Sequence, residues 1–230
     1  AGQVTSTTMI NGRSLRQLGT NELDMVSMVR PITKYAVTVQ EPSMIRYHLD
    51  AAVHYATTGR PGPVWVEIPL DIQAKNVDPD RMPPSSFVDN VADISDEVAQ
   101  CISMLNAAQR PVIIIGNGVR LADAVDKFLD LANILAIPVL TSWNAIDIIP
   151  TDYPDCIGRP GLCGDRAGNF AVQNSDLVLA IGTRLSIPQI GHNSALFARE
   201  AKLIVVDIDG HEANKSTLRT DLAIVADAGD

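Results

Sequence analysis

Short apolar runs rich in Val and Ile recur along this chain, each closed by Gly, Pro or Asp. Seven of them read as strands, over residues 35–39, 64–68, 112–115, 138–141, 177–181, 203–206 and 222–225. Several are apolar at every position rather than at alternate ones. That pattern implies burial on both faces, as in a parallel sheet covered by helices. Helical spacing fills the gaps. Residues 42–56 place Ile45, Leu49, Ala52, Val53 and Ala56 on one stripe, with Gly59 just past its end. Residues 96–107 align Val98, Cys101, Ile102 and Leu105, and residues 121–135 align Val125, Phe128, Leu129 and Ala132. Strands alternating with such helices predict an α/β fold built on a parallel sheet.

The periodicity stops between Asp71 and Asp93. Asp78-Pro79-Asp80 and Pro83-Pro84-Ser85-Ser86 give this stretch the composition of a surface linker. A domain boundary is therefore placed near Ser86, dividing the chain into residues 1–86 and 87–230. Two strands and one helix before it are too few to close a stable α/β layer, so the first domain is expected to be truncated at its start.

Charge supports two units of different character. Residues 1–88 hold eight basic and eight acidic side chains, so the whole net charge of −9 falls on the remainder. An acidic chain without a Lys/Arg cluster argues against a nucleic-acid partner. No apolar run reaches the roughly 18 residues of a membrane span. Three widely spaced cysteines, Cys101, Cys156 and Cys163, fit a reducing, cytoplasmic setting better than a disulfide framework, and their spacing suggests no metal site.

Ligands on an open parallel sheet bind beyond the carboxyl ends of its strands. Gly116-Asn117-Gly118-Val119-Arg120 follows the first strand after the linker. Its glycines suit either a tight turn or a close approach to a phosphate or ribose. Thr141-Ser142 ends the next strand, where the hydroxyls would face the same crevice or cap a turn. Gly182-Thr183-Arg184 offers an Arg that can fork onto a pyrophosphate or pair with a surface acid. Asp207-Ile208-Asp209 offers a carboxylate for ribose hydroxyls or a helix N-cap. Together they suggest an adenine-nucleotide crevice. His48 and His54 read as structural, and His192 lies in a Gly-bounded loop.

The string Thr58-Gly59-Arg60-Pro61-Gly62-Pro63-Val64-Trp65-Val66-Glu67-Ile68-Pro69-Leu70-Asp71 resembles the segment closing the pyrimidine-binding domain of thiamine-diphosphate enzymes. Gly2-Gln3-Val4 and residues 30–34 resemble the same domain. Residues 164–172, Gly182-Thr183-Arg184 and Asp207-Ile208-Asp209 are similar to the central Rossmann-like domain of that family, and the acetolactate synthase branch fits best. The resemblance implies a parent enzyme using thiamine diphosphate and Mg²⁺ on 2-keto acids, assembled as a homodimer or homotetramer. It also implies that the catalytic glutamate and the Mg²⁺ motif lie outside these residues, so the chain alone is expected to be inactive. No catalytic or metal residue is assigned. Cofactor-binding positions carried over are Arg60, Gly116, Gly118, Thr141, Gly164, Arg184, Asp207 and Asp209, for FAD or another adenine nucleotide. Four features depart from the family pattern: Cys163 for a His, Asn117 within a triple glycine, Leu70 for a Lys, and the pair Thr20-Asn21 for Phe-Gln. The first two bear on FAD. The last two bear on pyruvate carboligation and leave room for another 2-keto acid or acyl substrate. A freestanding nucleotide-binding or purely structural module is the remaining alternative.

Overall fold

The structure is a computed structural model that describes residues 2–10, 12–87 and 92–230. It divides into two compact units, Ala1–Asn90 and Val91–Asp230.

The first unit contains α1 (Met25–Val29), β1 (Tyr35–Thr38), α2 (Ile45–Thr57), β2 (Val64–Glu67) and α3 (Leu70–Gln73). The two strands run parallel, with Tyr35 opposite Val64 and Thr38 opposite Glu67. Glu67 is buried and accepts a hydrogen bond from the Thr38 hydroxyl (2.9 Å). The expected stripe on α2 is shifted. Ala51 and Ala52 face inward, whereas Leu49 (48%) and Val53 (66%) are exposed. Small residues lie innermost because the larger rings lie beside them: Tyr35 stacks on Tyr55 at 5.5 Å, and its hydroxyl meets His48 Nδ1 at 2.7 Å. Burial holds the His48 imidazole below the usual histidine range, in keeping with a structural role.

The described part of the expected surface linker, residues 71–87, is fastened to the first unit at several points. Asp71 accepts hydrogen bonds from the Ser6 amide (2.7 Å) and hydroxyl (2.6 Å). Met82 is buried, and Phe87 stacks on His54 with ring centroids 4.2 Å apart. Aromatic contacts of this kind anchor the stretch to α2. Asn90, which ends the first unit, lies outside the described residues.

The second unit contains α4 (Ser95–Ala107), β3 (Pro111–Ile115), α5 (Gly118–Leu121), α6 (Val125–Leu135), β4 (Val139–Thr141), β5 (Cys156–Gly158), α7 (Arg166–Asn174), β6 (Leu177–Ile181), α8 (Ile187–Ile190), β7 (Lys202–Asp207), α9 (Gly210–Ala213) and β8 (Leu222–Val225). Its sheet is parallel throughout, in the order β5-β4-β3-β6-β7-β8. The strand order changes sides between β3 and β6, with β4 and β5 added beyond β3 and β7 and β8 beyond β6, which makes that pair the switch point of a Rossmann-like layer. The continuous apolar runs are explained by two cores. Ile113, Ile115, Leu177, Leu179 and Ile181 join one cluster, and Val112, Ile114, Val178 and Ala180 join the other.

Three local differences from the sequence pattern have physical causes. The helix expected over 121–135 is two helices, because Asp123 adopts φ +53 and turns the chain so that buried Ala124 bonds back to the Val119 carbonyl. β5 went unpredicted because it is three residues long and ends at Gly158 with φ +107. On α4, Val98 and Ile102 face outward, while Cys101, Met104 and Leu105, with Ala108 just past its end, pack on the core.

Asp176 ties the amino ends of two central strands together. Its carboxylate accepts from the backbone amides of Gln109 (2.7 Å) and Arg110 (2.8 Å). Burial works to raise its pKa, but these two donors and the charge of Arg110 outweigh it, leaving the carboxyl below the usual range. A lowered folded-state pKa contributes stability above the unfolded value of about 3.9, lost as pH falls through the folded value. The melting temperature is therefore expected to hold steady above about pH 5 and to fall in more acid solution. Asp176→Asn should flatten that fall in thermal melts recorded across pH, and an unchanged acid limb would contradict the assignment.

Candidate functional site

Because the second sheet is parallel, the loops following β3, β4, β5, β6 and β7 all leave from one edge. This edge collects Gly116 and Gly118 after β3, Thr141 at the end of β4, Gly164 after β5, Arg184 after β6, and Asp207 and Asp209 at the end of β7. Arg60 belongs to the first unit. It lies in the turn between α2 and β2 that contains Gly59 at φ +56.

The glycines at the switch point serve close packing of backbone on backbone. A Cβ on Gly116 would sit 2.1 Å from the Gly182 carbonyl oxygen, and one on Gly118 would sit 2.6 Å from Gly182 Cα. The amide of Gly116 donates to Ile181 O (2.9 Å) and that of Gly118 to Gly182 O (2.9 Å). Both donors are thus engaged where the β3 and β6 ends pack together. Asn117, the departure from a triple glycine, has φ −66, which any residue adopts. Its side-chain oxygen accepts from Arg120 Nη1 (2.9 Å). Arg120 continues to the Asn144 carbonyl (3.2 Å) and to Asp147 Oδ1 (2.6 Å), joining the β3 and β4 loops. The hydrogen bond from Arg120 holds the Asp147 carboxyl below its usual range.

Thr141 is 3% exposed, so it belongs to the wall of the edge rather than its open surface. Gly164 sits inside a folded-back loop over residues 158–165. Its amide bonds to Gly161 O (3.0 Å), and a Cβ there would meet Arg159 O at 2.4 Å. Asp165 closes this loop by accepting from Arg159 N (2.9 Å) and Nε (3.1 Å). Those bonds, the side-chain one first, hold the Asp165 carboxyl low. Asn169 locks the same loop by exchanging two hydrogen bonds with Gly161. Cys163 is exposed at its tip.

Arg184 is exposed, while its neighbours Thr183 and Leu185 are buried. Its side chain is therefore presented to solvent from a fixed backbone. Asp207 Oδ1 accepts from the Asp209 amide (2.9 Å), and Asp209 Oδ1 accepts from the His211 amide (2.9 Å) as the N-cap of α9. His192 is exposed after α8. The sequence pattern signalled the strand ends, Gly182 among them, but not the packing of Gly182 on Gly116 and Gly118 or the pairings Arg120–Asp147 and Arg159–Asp165. Pairings across the chain leave no spacing signature. Glycines without a fixed interval gave only a weak one.

Among the described residues, no group of three or more His, Cys, Asp or Glu could hold a metal ion, and no helix is long and apolar enough to cross a membrane. An exposed Arg and two strand-end carboxylates lie on the carboxyl edge of the second unit's parallel sheet.

The family described as "Thiamine pyrophosphate enzyme, central domain" matches residues 98–230, and the chain belongs to that family. Relatives agree with it. The probable acetolactate synthase large subunit of Methanocaldococcus jannaschii is 35% identical over 213 residues, 90% of this chain and 36% of the relative. The acetolactate synthase of Mycobacterium bovis is 36% identical over 222 residues, 94% of this chain and 35% of the relative. The glyoxylate carboligase of Escherichia coli O157:H7 is 34% identical over 212 residues, 90% of this chain and 35% of the relative. The chain spans about a third of the length of these curated relatives.

Proposed function

We propose that this chain is a section of a thiamine-diphosphate- and Mg²⁺-dependent carboligase acting on 2-keto acids, and that it is inactive alone. In this reading residues 1–86 are the end of a pyrimidine-binding domain, and residues 87–230 are the central domain. The observation that carries it is the family match over 98–230, continued to the amino-terminal side by relatives aligned over about nine-tenths of the chain. The exposed Leu49 and Val53 on α2, above a two-stranded sheet, are consistent with a first unit that continues into more structure. Thiamine diphosphate, when bound, supplies the carbanion chemistry, and the protein supplies binding and orientation. Whole-enzyme assembly as a homodimer or homotetramer and a cytoplasmic location belong to the same proposal.

The role assigned to this chain's own residues is to hold FAD or another adenine nucleotide at the carboxyl edge. Arg184 fits a pyrophosphate, and Asp207 or Asp209 fits ribose hydroxyls. The Gly116–Gly118 turn shapes the floor and leaves phosphate recognition to Arg184, since the Gly116 and Gly118 amides are already bonded. Purified chain incubated with FAD is expected to retain a flavin absorption band after desalting. Loss of the band, with no binding of ADP either, would contradict the nucleotide role.

A second substrate reading has specific support. The glyoxylate carboligase is as similar as several of the acetolactate synthases, and Leu70 and Thr20-Asn21 replace family positions associated with pyruvate carboligation. The full-length protein, assayed with thiamine diphosphate and Mg²⁺, is expected to join 2-keto acids, and comparison of pyruvate with glyoxylate decides between the two. The present chain under the same conditions is expected to show no turnover. Carboligation by it would overturn the assignment.

A further inference from the structure

We infer that Lys215 is a positioning residue of the crevice, setting the place of Arg184 relative to the carboxylates at the end of β7. This inference rests on the nucleotide reading of the crevice. The Lys215 ammonium donates to three oxygens: the carbonyl of Arg184, the carbonyl of Leu185 (3.2 Å) and Glu212 Oε2 (3.1 Å). An ammonium has three donors, so all are engaged within the protein. Lys215 therefore acts through the loop and not by touching a ligand.

The geometry explains why a cation is needed here. Two successive carbonyls, of Arg184 and Leu185, turn toward one point. The chain achieves this with Leu185 at φ +44, a conformation uncommon for a bulky residue, and with its side chain buried. Carbonyl dipoles aimed together repel each other unless a positive group sits between them. Lys215 occupies that point, and its side chain and that of Glu212 are only about a fifth exposed, at 21% and 22%.

The other end of the connection is α9. Glu212 N donates to the Asp209 carbonyl (3.0 Å), and the Asp209 carboxylate caps the helix at His211. A continuous path thus runs from Asp209 through Glu212 and Lys215 to the backbone of Arg184. On the opposite side the same loop is fastened by Gly118 N to Gly182 O and by the Thr183 hydroxyl to Gln189 Oε1 (3.1 Å). The Gly182 amide joins the start of the β6 loop to Val206 O at the end of β7 (2.9 Å), and Lys215 ties the farther part of that loop, at Arg184 and Leu185, to α9. The Lys215 connection fixes the separation between a group suited to pyrophosphate and groups suited to ribose.

The test is a double-mutant cycle on ADP binding to the chain, read by titration calorimetry with melting temperatures alongside. Lys215→Met keeps the stem and removes the donors, and it is expected to weaken ADP binding about tenfold or more. Lys215→Arg, which retains donors, is expected to recover most of that loss. In an Arg184→Ala background, Lys215→Met should change affinity by less than about twofold, because the residue through which it acts is gone. A wild-type affinity retained by Lys215→Met, or an equal loss in both backgrounds, would overturn the positioning role while leaving the crevice reading intact. Absence of ADP binding by the wild-type chain would overturn the crevice reading and this inference with it. If Lys215→Met fails to fold, Lys215→Gln takes its place in the same cycle.

Discussion

Gly116→Ala is expected to lower the melting temperature of the central domain by about 6–12 °C, corresponding to a cost of about 3 kcal/mol. The added methyl would begin 2.1 Å from the Gly182 carbonyl oxygen and 2.6 Å from Thr183 Cα. Both are backbone atoms, so no side-chain rotation relieves the clash. The loops after β3 and β6 would have to separate, breaking Gly116 N to Ile181 O and Gly118 N to Gly182 O at the centre of the sheet's edge. Asn117→Gly is the control. Position 117 has φ −66 and gains nothing from a glycine, so that variant should lose only the Arg120 contact and melt within about 2 °C of wild type. Differential scanning calorimetry distinguishes the two, and a Gly116→Ala protein as stable as Asn117→Gly would show that the contact with Gly182 is not formed.

Arg184→Ala is expected to weaken adenine-nucleotide binding by about ten- to a hundredfold, the usual worth of hydrogen bonds to a charged group. The side chain is exposed and its backbone is held by Lys215 and the switch-point contact, so the melting temperature should stay within about 2 °C of wild type. Affinity and stability then separate cleanly. Loss of both would mean that the guanidinium supports the fold, and loss of neither would remove it from the site.

The architecture was readable wherever burial imposed a pattern. Residues 177–181 read as a strand because each one is inside, with odd and even positions serving two cores. Gly182-Thr183-Arg184 and Asp207-Ile208-Asp209 read as strand ends for the same reason. What escaped was decided by contacts between distant residues. Val53 and Leu49 have the hydrophobicity of a core stripe but lie outside, since Ala51 and Ala52 are the residues small enough to sit against the first sheet. Phe87 looked like linker, and only its stacking on His54 attaches it to α2. The glycines at 116 and 118 suit either a tight turn or a close approach to a phosphate, and the backbone contact they make with Gly182 carries no interval in the sequence. Lys215 is one more surface lysine in the sequence, and its role becomes visible only when the Arg184 and Leu185 carbonyls are seen to meet it.

The most direct test is an amide chemical-shift map of the chain titrated with ADP. Saturable shifts should concentrate at residues 116–119, 183–186 and 207–210, on the carboxyl edge of the sheet, and spare Gln109, Arg110, Asp176 and Asp221 at the amino edge. Shifts centred on the amino edge, or none at all, would contradict a nucleotide crevice at the β3–β6 switch point.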